Sequence, residues 1–237
     1  MLQFEKLNLG TLEKSTFRIH FAYSIIEGFI LGVLALNEFV FLISLAGTDA
    51  GVSVLFQFSV FVLTFSILLN EWMRRVKKVK KFLFLLGLIT RLPLFLLLFF
   101  PAGLSHSADN YIYHYIFLGI FLMYYFANPI IYPVINQLLK TNYSHYNFSI
   151  LYSWSTIVNK IVMLIVTFAF GWLLDADKDA YRYVFPFVSV SGIFSVWLLT
   201  RIENSNLTVT RPALPLWKSI RANIKNMRRK MAGNKPF

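Results

Sequence analysis

EWMRRVKKVKKFLFLLGLITRLPLFLLLFFP, residues 71–101, sets six Lys or Arg side chains directly before the stretch 82–100, in which Arg91 is the one charge. About 20 apolar residues cross ~30 Å of hydrocarbon as a helix. A basic cluster beside such a stretch marks the side that stays in the cytoplasm. The stretch therefore reads as a membrane span with its start inside. Five more apolar stretches occur at 18–46, 52–69, 111–139, 150–174 and 183–200. They lack the short, alternating pattern of outer-membrane β-strands. The expected fold is all-α, with six transmembrane helices.

Composition agrees. Of 237 residues, 57% are hydrophobic and 14% charged, against roughly 25% charged in a soluble domain. The net charge of +12 would suggest nucleic acid in a soluble protein. Here it falls on the segments flanking spans, so no nucleic-acid partner is expected and membrane lipid is. The absence of cysteine excludes disulfides and thiol chemistry, and no cofactor or metal is called for.

With the N-terminus inside, all but four of the 23 Lys and Arg fall on the inner side or in the tail; Lys178 and Arg182 lie outside, Arg91 and Lys160 within spans. Both termini are expected in the cytoplasm, in a bacterial inner (plasma) membrane. The expected organisation is a cytoplasmic N-terminus (1–17), a six-helix domain (18–201) and a basic tail (202–237). In the tail, Trp217, Ile220, Ile224, Met227 and Met231 repeat every three or four residues, with Lys218, Arg221, Lys225, Arg228 and Arg229 between them. This is a basic amphipathic helix suited to the inner leaflet.

Charges at bilayer depth are costly and therefore informative. Span one carries Glu27 and Glu38. Eleven residues of continuous helix would put them on one face, about 16 Å apart. At ~1.5 Å per residue, Glu27, Arg91 in span three and Lys160 in span five all reach about 14–15 Å from the inner boundary. Glu27 is expected to pair with Lys160 or Arg91, either as a substrate or coupling-ion site or as a fixed lock between helices. In span four, Asn128, Tyr132 and Asn136 recur every fourth residue, beside Tyr125. Pro129 and Pro133 should kink that helix. Such a face suits a cavity wall, or interhelical hydrogen bonds. Tyr152, Ser155, Thr156 and Asn159 repeat the signal in span five. Gly28 and Gly32 form a G-x-x-x-G pair that permits close helix approach.

Three stretches resemble a known family: FANPIIYPVINQLLKTNY in span four, LYSWSTIVNKIVMLIVTFAFGWLLDADKDAYRYVFP through span five, and the tail KSIRANIKNMRRKMAGNKPF. With six spans and a basic loop between spans two and three, the chain resembles the N-terminal half of a major facilitator superfamily transporter. The resemblance implies a 3+3 inverted-repeat half and secondary transport of a small molecule or ion. It also implies a partner, which would be a second six-helix half or a second copy of the chain. The tail would then link the halves. The family's loop after span two carries a pattern like G-x-x-x-D-R-x-G-R-R. Here the loop lacks both glycines, with Glu71 in the acidic place and Arg74 and Arg75 as gating candidates. In such a half, Glu27 and the span-four stripe are expected to need the partner for burial.

Two other classes are open. A non-transporting scaffold or assembly subunit is the main alternative. An enzyme is not expected: Gly103-Leu104-Ser105-His106-Ser107 lacks the closing glycine of a serine-nucleophile motif, and His106, Asp109 and His114 have no accompanying H-E-x-x-H.

Overall fold

A computed structural model describes residues 9–73, 76, 78–104, 111–203 and 221. Arg74, Arg75, the Glu71 side chain, His106, Asp109 and nearly all of the tail lie outside the described residues. Among those described, every regular element is helical, and six helices are long and apolar enough to cross a membrane: span one Thr11–Ser44, span two Asp49–Ser66, span three Val79–Phe99, span four Tyr111–Asn142, span five His145–Ala176 and span six Tyr181–Thr200. The described residues are thus all-helical, with the six long apolar helices of an integral membrane protein.

The spans alternate in direction. One end of the bundle carries Lys14, Arg18, Lys80, Lys140 and Arg201, and is called the basic end. The other carries Asp49, Asp175, Asp177 and Asp179, and is called the acidic end. At the basic end the helix termini are stitched together. The Glu13 carboxylate accepts from Gly10 N at 3.2 Å, Ser144 N at 2.6 Å and Asn147 Nδ2 at 3.1 Å. It thereby closes the start of span one and the start of span five, whose backbone N–H groups have no helical acceptor. Span one begins at Thr11, not near 18, because this capping lies upstream of the apolar run. Asn142 Nδ2 donates to Thr16 Oγ1 and to the Glu203 carbonyl, and Lys80 Nζ to the Ile202 carbonyl. Between spans, burial with Glu13 nearby pushes the Tyr143 hydroxyl well above the usual tyrosine range, so it stays protonated beside His20 Nδ1, 3.2 Å away.

Three spans are irregular. Span one is α-helical to Leu34, turns through Ala35 and Leu36, resumes at Asn37–Phe39 and ends in a π-turn, Val40–Ser44. The expectation of one acidic face carrying Glu27 and Glu38 is therefore corrected: helical register does not run through this break. Span three changes from α-helix to 3-10 helix at Leu92–Phe99. Pro93 lacks the N–H and crowds the carbonyl four residues earlier. Span four breaks at Ala127, between Tyr111–Phe126 and Asn128–Asn142, two residues before Pro129 and within about two turns of Pro133.

Span one packs along span five and span six; span three packs along span six; span two packs along span four; spans three and four also meet. Two apolar clusters fill the interior. One, towards the acidic end, is built on Phe41, Phe117, Phe121 and Phe185; the other, towards the basic end, on Leu83, Ile131, Leu139 and Leu199.

Candidate functional site

Between the two apolar clusters lies a polar layer. Glu27 of span one falls between Tyr23 and Ile30, Arg91 of span three between Leu83 and Leu94, and Ser195 of span six next to Val196. Arg91 Nη2 donates to Glu27 Oε1 at 3.0 Å. Ser195 Oγ donates to the same oxygen at 2.7 Å, and Arg91 Nη1 donates to Ser195 Oγ at 3.3 Å. The Tyr124 ring of span four lies 5.6 Å from the guanidinium carbon, within cation–π range. Four spans thus converge on one arginine. Arg91 is 3% and Glu27 5% exposed, so the pair is sealed inside the chain. This corrects the expectation that Glu27 needs a partner subunit for its burial.

The backbone makes room for this cluster at Gly192. A Cβ there would lie 2.8 Å from Arg91 Cδ and Nη1. Ser189, one turn earlier, donates to the Arg91 carbonyl at 2.8 Å. The guanidinium Nε is buried and has no partner. Ser189, Gly192 and Ser195 were not singled out in the sequence. Their three-residue spacing in VSVSGIFS is the small-residue signal that could have found them.

Lys160 does not join the pair. It is exposed, and its Nζ approaches only the Met163 sulfur, at 3.8 Å. Depth alone placed it with Glu27, but its direction around the helix axis is set by how span five meets span one. That contact runs through the G-x-x-x-G pair. A Cβ on Gly28 would stand 2.6 Å from the Asn159 carbonyl oxygen, and one on Gly32 2.7 Å from that of Met163. Asn159 Nδ2 donates to the Ser24 carbonyl at 2.8 Å, and Thr167 Oγ1 to that of Gly32 at 3.0 Å. Asn159 is thus a structural tie as well as a wall residue.

Beside the pair, spans one, four and five line a half-open cavity of about 280 Å³. Glu27, Lys160, Tyr132, Asn136, Tyr152 and Thr156 line it, together with His20, Tyr23 and Asn159. A second cavity of about 420 Å³ lies between spans two and four, lined by Asn128, Tyr125, Pro129, Pro133 and Tyr132. Tyr132 borders both. The span-four stripe of Asn128, Tyr132 and Asn136 therefore faces cavities. Among the described residues none of the three makes a side-chain hydrogen bond to another residue. Interhelical bonding by asparagine comes instead from Asn37, Asn142, Asn147 and Asn159.

Glu38 is half-buried and borders neither cavity. Its neighbour Asn37 is fully buried and donates to Tyr125 OH at 3.1 Å. His114 is tied to the Leu45 carbonyl at 2.7 Å, where the end of span one leaves that acceptor open.

Compared with known proteins, the chain matches no family model, no curated sequence and no solved structure.

Proposed function

We propose that the chain carries out secondary-active transport of a small solute, as one six-helix unit of a major facilitator-type transporter. It would work against a second six-helix half or a second copy of itself, with both termini in the cytoplasm. The observation that carries this reading is the polar cavity at mid-depth between spans one, four and five, bordered by an ionisable residue from each of two helices. Ionisable groups at that depth ordinarily mark substrate or ion paths, and transporters place their sites at the midplane between repeats.

Helix adjacency adds support. Exchanging spans one, two and three for four, five and six turns the one–five contact into four–two, and one–six into four–three. It maps three–six onto itself. A 3+3 repeat has this property. The span-one, span-two, span-four and span-five side carries both cavities and is the face on which an opposing unit would complete a path.

In this reading the Glu27–Arg91 pair holds spans one, three and six together, and the cavity side chains meet the solute. The sealed pair also favours the alternative, a non-transporting membrane scaffold. Proteoliposomes containing the full chain decide between them. Uptake of labelled lactate, alanine, glucose and choline would be followed under an imposed proton gradient, for wild type and for Asn136→Trp, which fills the cavity. Transport predicts gradient-dependent uptake of at least one solute, lost in Asn136→Trp. Equal background flux for both proteins with all four solutes favours the scaffold.

A further inference from the structure

Charge in the cavity between spans one, four and five is unbalanced. Glu27 is the acid there, and it is already neutralised by Arg91 at 3.0 Å and capped by Ser195. Lys160 has no carboxylate within ion-pair distance among the described residues, and its Nζ meets a methionine sulfur at 3.8 Å. The cavity wall therefore carries one uncompensated positive charge.

That charge has no route to water along its own helix. Lys160 is the sixteenth of the 32 residues of span five, about 22–24 Å from either helix end at 1.5 Å rise. The hydrocarbon half-thickness is ~15 Å, and lysine snorkelling serves residues near helix ends. The same distance keeps lipid headgroups out of reach. Around the ammonium, the cavity offers hydrogen-bond groups with no partner among the described residues: Tyr132 OH, Tyr152 OH and the Asn136 amide. Thr156 Oγ1 donates to the Tyr152 carbonyl, which leaves its lone pairs as acceptors. A cation, several free hydroxyls and an amide around about 280 Å³ match one small molecule that carries a single negative charge and polar substituents.

We infer that Lys160 is the anion-recognising group of this cavity, and that its ligand is a small organic monoanion, such as a hydroxy- or aromatic carboxylate. This rests on the transport reading above for its purpose, but not for its chemistry. Lys160 holds the carboxylate, Asn136 and the two tyrosines hold its substituents, and the Glu27–Arg91 pair keeps the adjoining wall neutral. A dianion or a cation is disfavoured, because it would leave the cavity with net charge.

The test uses the full-length protein in phosphatidylcholine nanodiscs, followed by thermal unfolding. The probes are lactate and benzoate at matched ionic strength, each against its neutral amide, lactamide and benzamide. At least one carboxylate is expected to raise Tm in a saturable way, with its amide at least tenfold weaker. Lys160→Met should abolish the response and Lys160→Arg should retain it. The inference is overturned if amide and acid stabilise equally, if Lys160→Met keeps the response, or if neither carboxylate shifts Tm. It is also overturned if Lys160→Met instead dissolves a dimer, since a second copy then supplies the counter-charge. Carboxylate binding without uptake in proteoliposomes would refute transport and leave the anion site standing. Gradient-driven uptake of choline or glucose alone would refute the anion class and leave transport standing.

Discussion

Removing the charge of Glu27 isolates the central arginine. In Glu27→Gln the side chain keeps its shape, but Arg91 loses its counter-ion while 3% exposed and with Nε already unpartnered. Breaking a buried pair from one side costs about 3–5 kcal/mol, because the remaining charge is stranded. Arg91→Met should cost a similar amount by stranding Glu27. The double variant strands neither charge, so its cost should fall short of the sum by about 1–3 kcal/mol. The cycle with Lys160 should differ: Glu27→Gln and Lys160→Met share no bond and should add to within about 0.5 kcal/mol. Unfolding free energy in bicelles, by SDS titration or steric trapping, is measured for the wild type and all five variants. Coupling of Glu27 to Lys160 as strong as to Arg91 would refute this geometry. So would a cost below about 1 kcal/mol for Glu27→Gln, which would mean the pair is not desolvated as the burial requires.

Gly192→Ala places a methyl group 2.8 Å from the Arg91 side chain and should cost about 1–3 kcal/mol by overpacking; the same change in an Arg91→Met background should cost less, read by the same unfolding assay. Gly28→Ala sets a Cβ 2.6 Å from a backbone carbonyl, which cannot swing aside. It should separate spans one and five, lower folded yield and increase proteolysis at 143–148, whereas Gly119→Ala, with open space around it, should do neither. For orientation, Lys78→Cys in this cysteine-free chain should resist membrane-impermeant maleimide in intact cells and react after permeabilisation; labelling from outside would invert the topology.

Much of the fold was legible in the sequence. Hydropathy and length fix the six spans, because a backbone in hydrocarbon has to satisfy its hydrogen bonds within a helix. Rise per residue fixes depth, and that alone put Glu27 level with Arg91. The polar stripe of span four was visible as a four-residue repeat and does face cavities. Depth, however, says nothing about direction around the helix axis. Lys160 lies level with Glu27 by the same count, yet it faces the cavity and the pair forms without it. That choice belongs to the packing. Gly28 and Gly32 draw span five against span one, Gly192 opens span six for a guanidinium, and Ser195 then completes the cluster from a span whose one charge, Arg182, lies at its far end. The break after Leu34 likewise separated Glu38 from Glu27, a change of register that hydropathy does not record. Local hydrophobicity and helical rise thus determined the number and level of the groups, and helix–helix contact decided which of them meet.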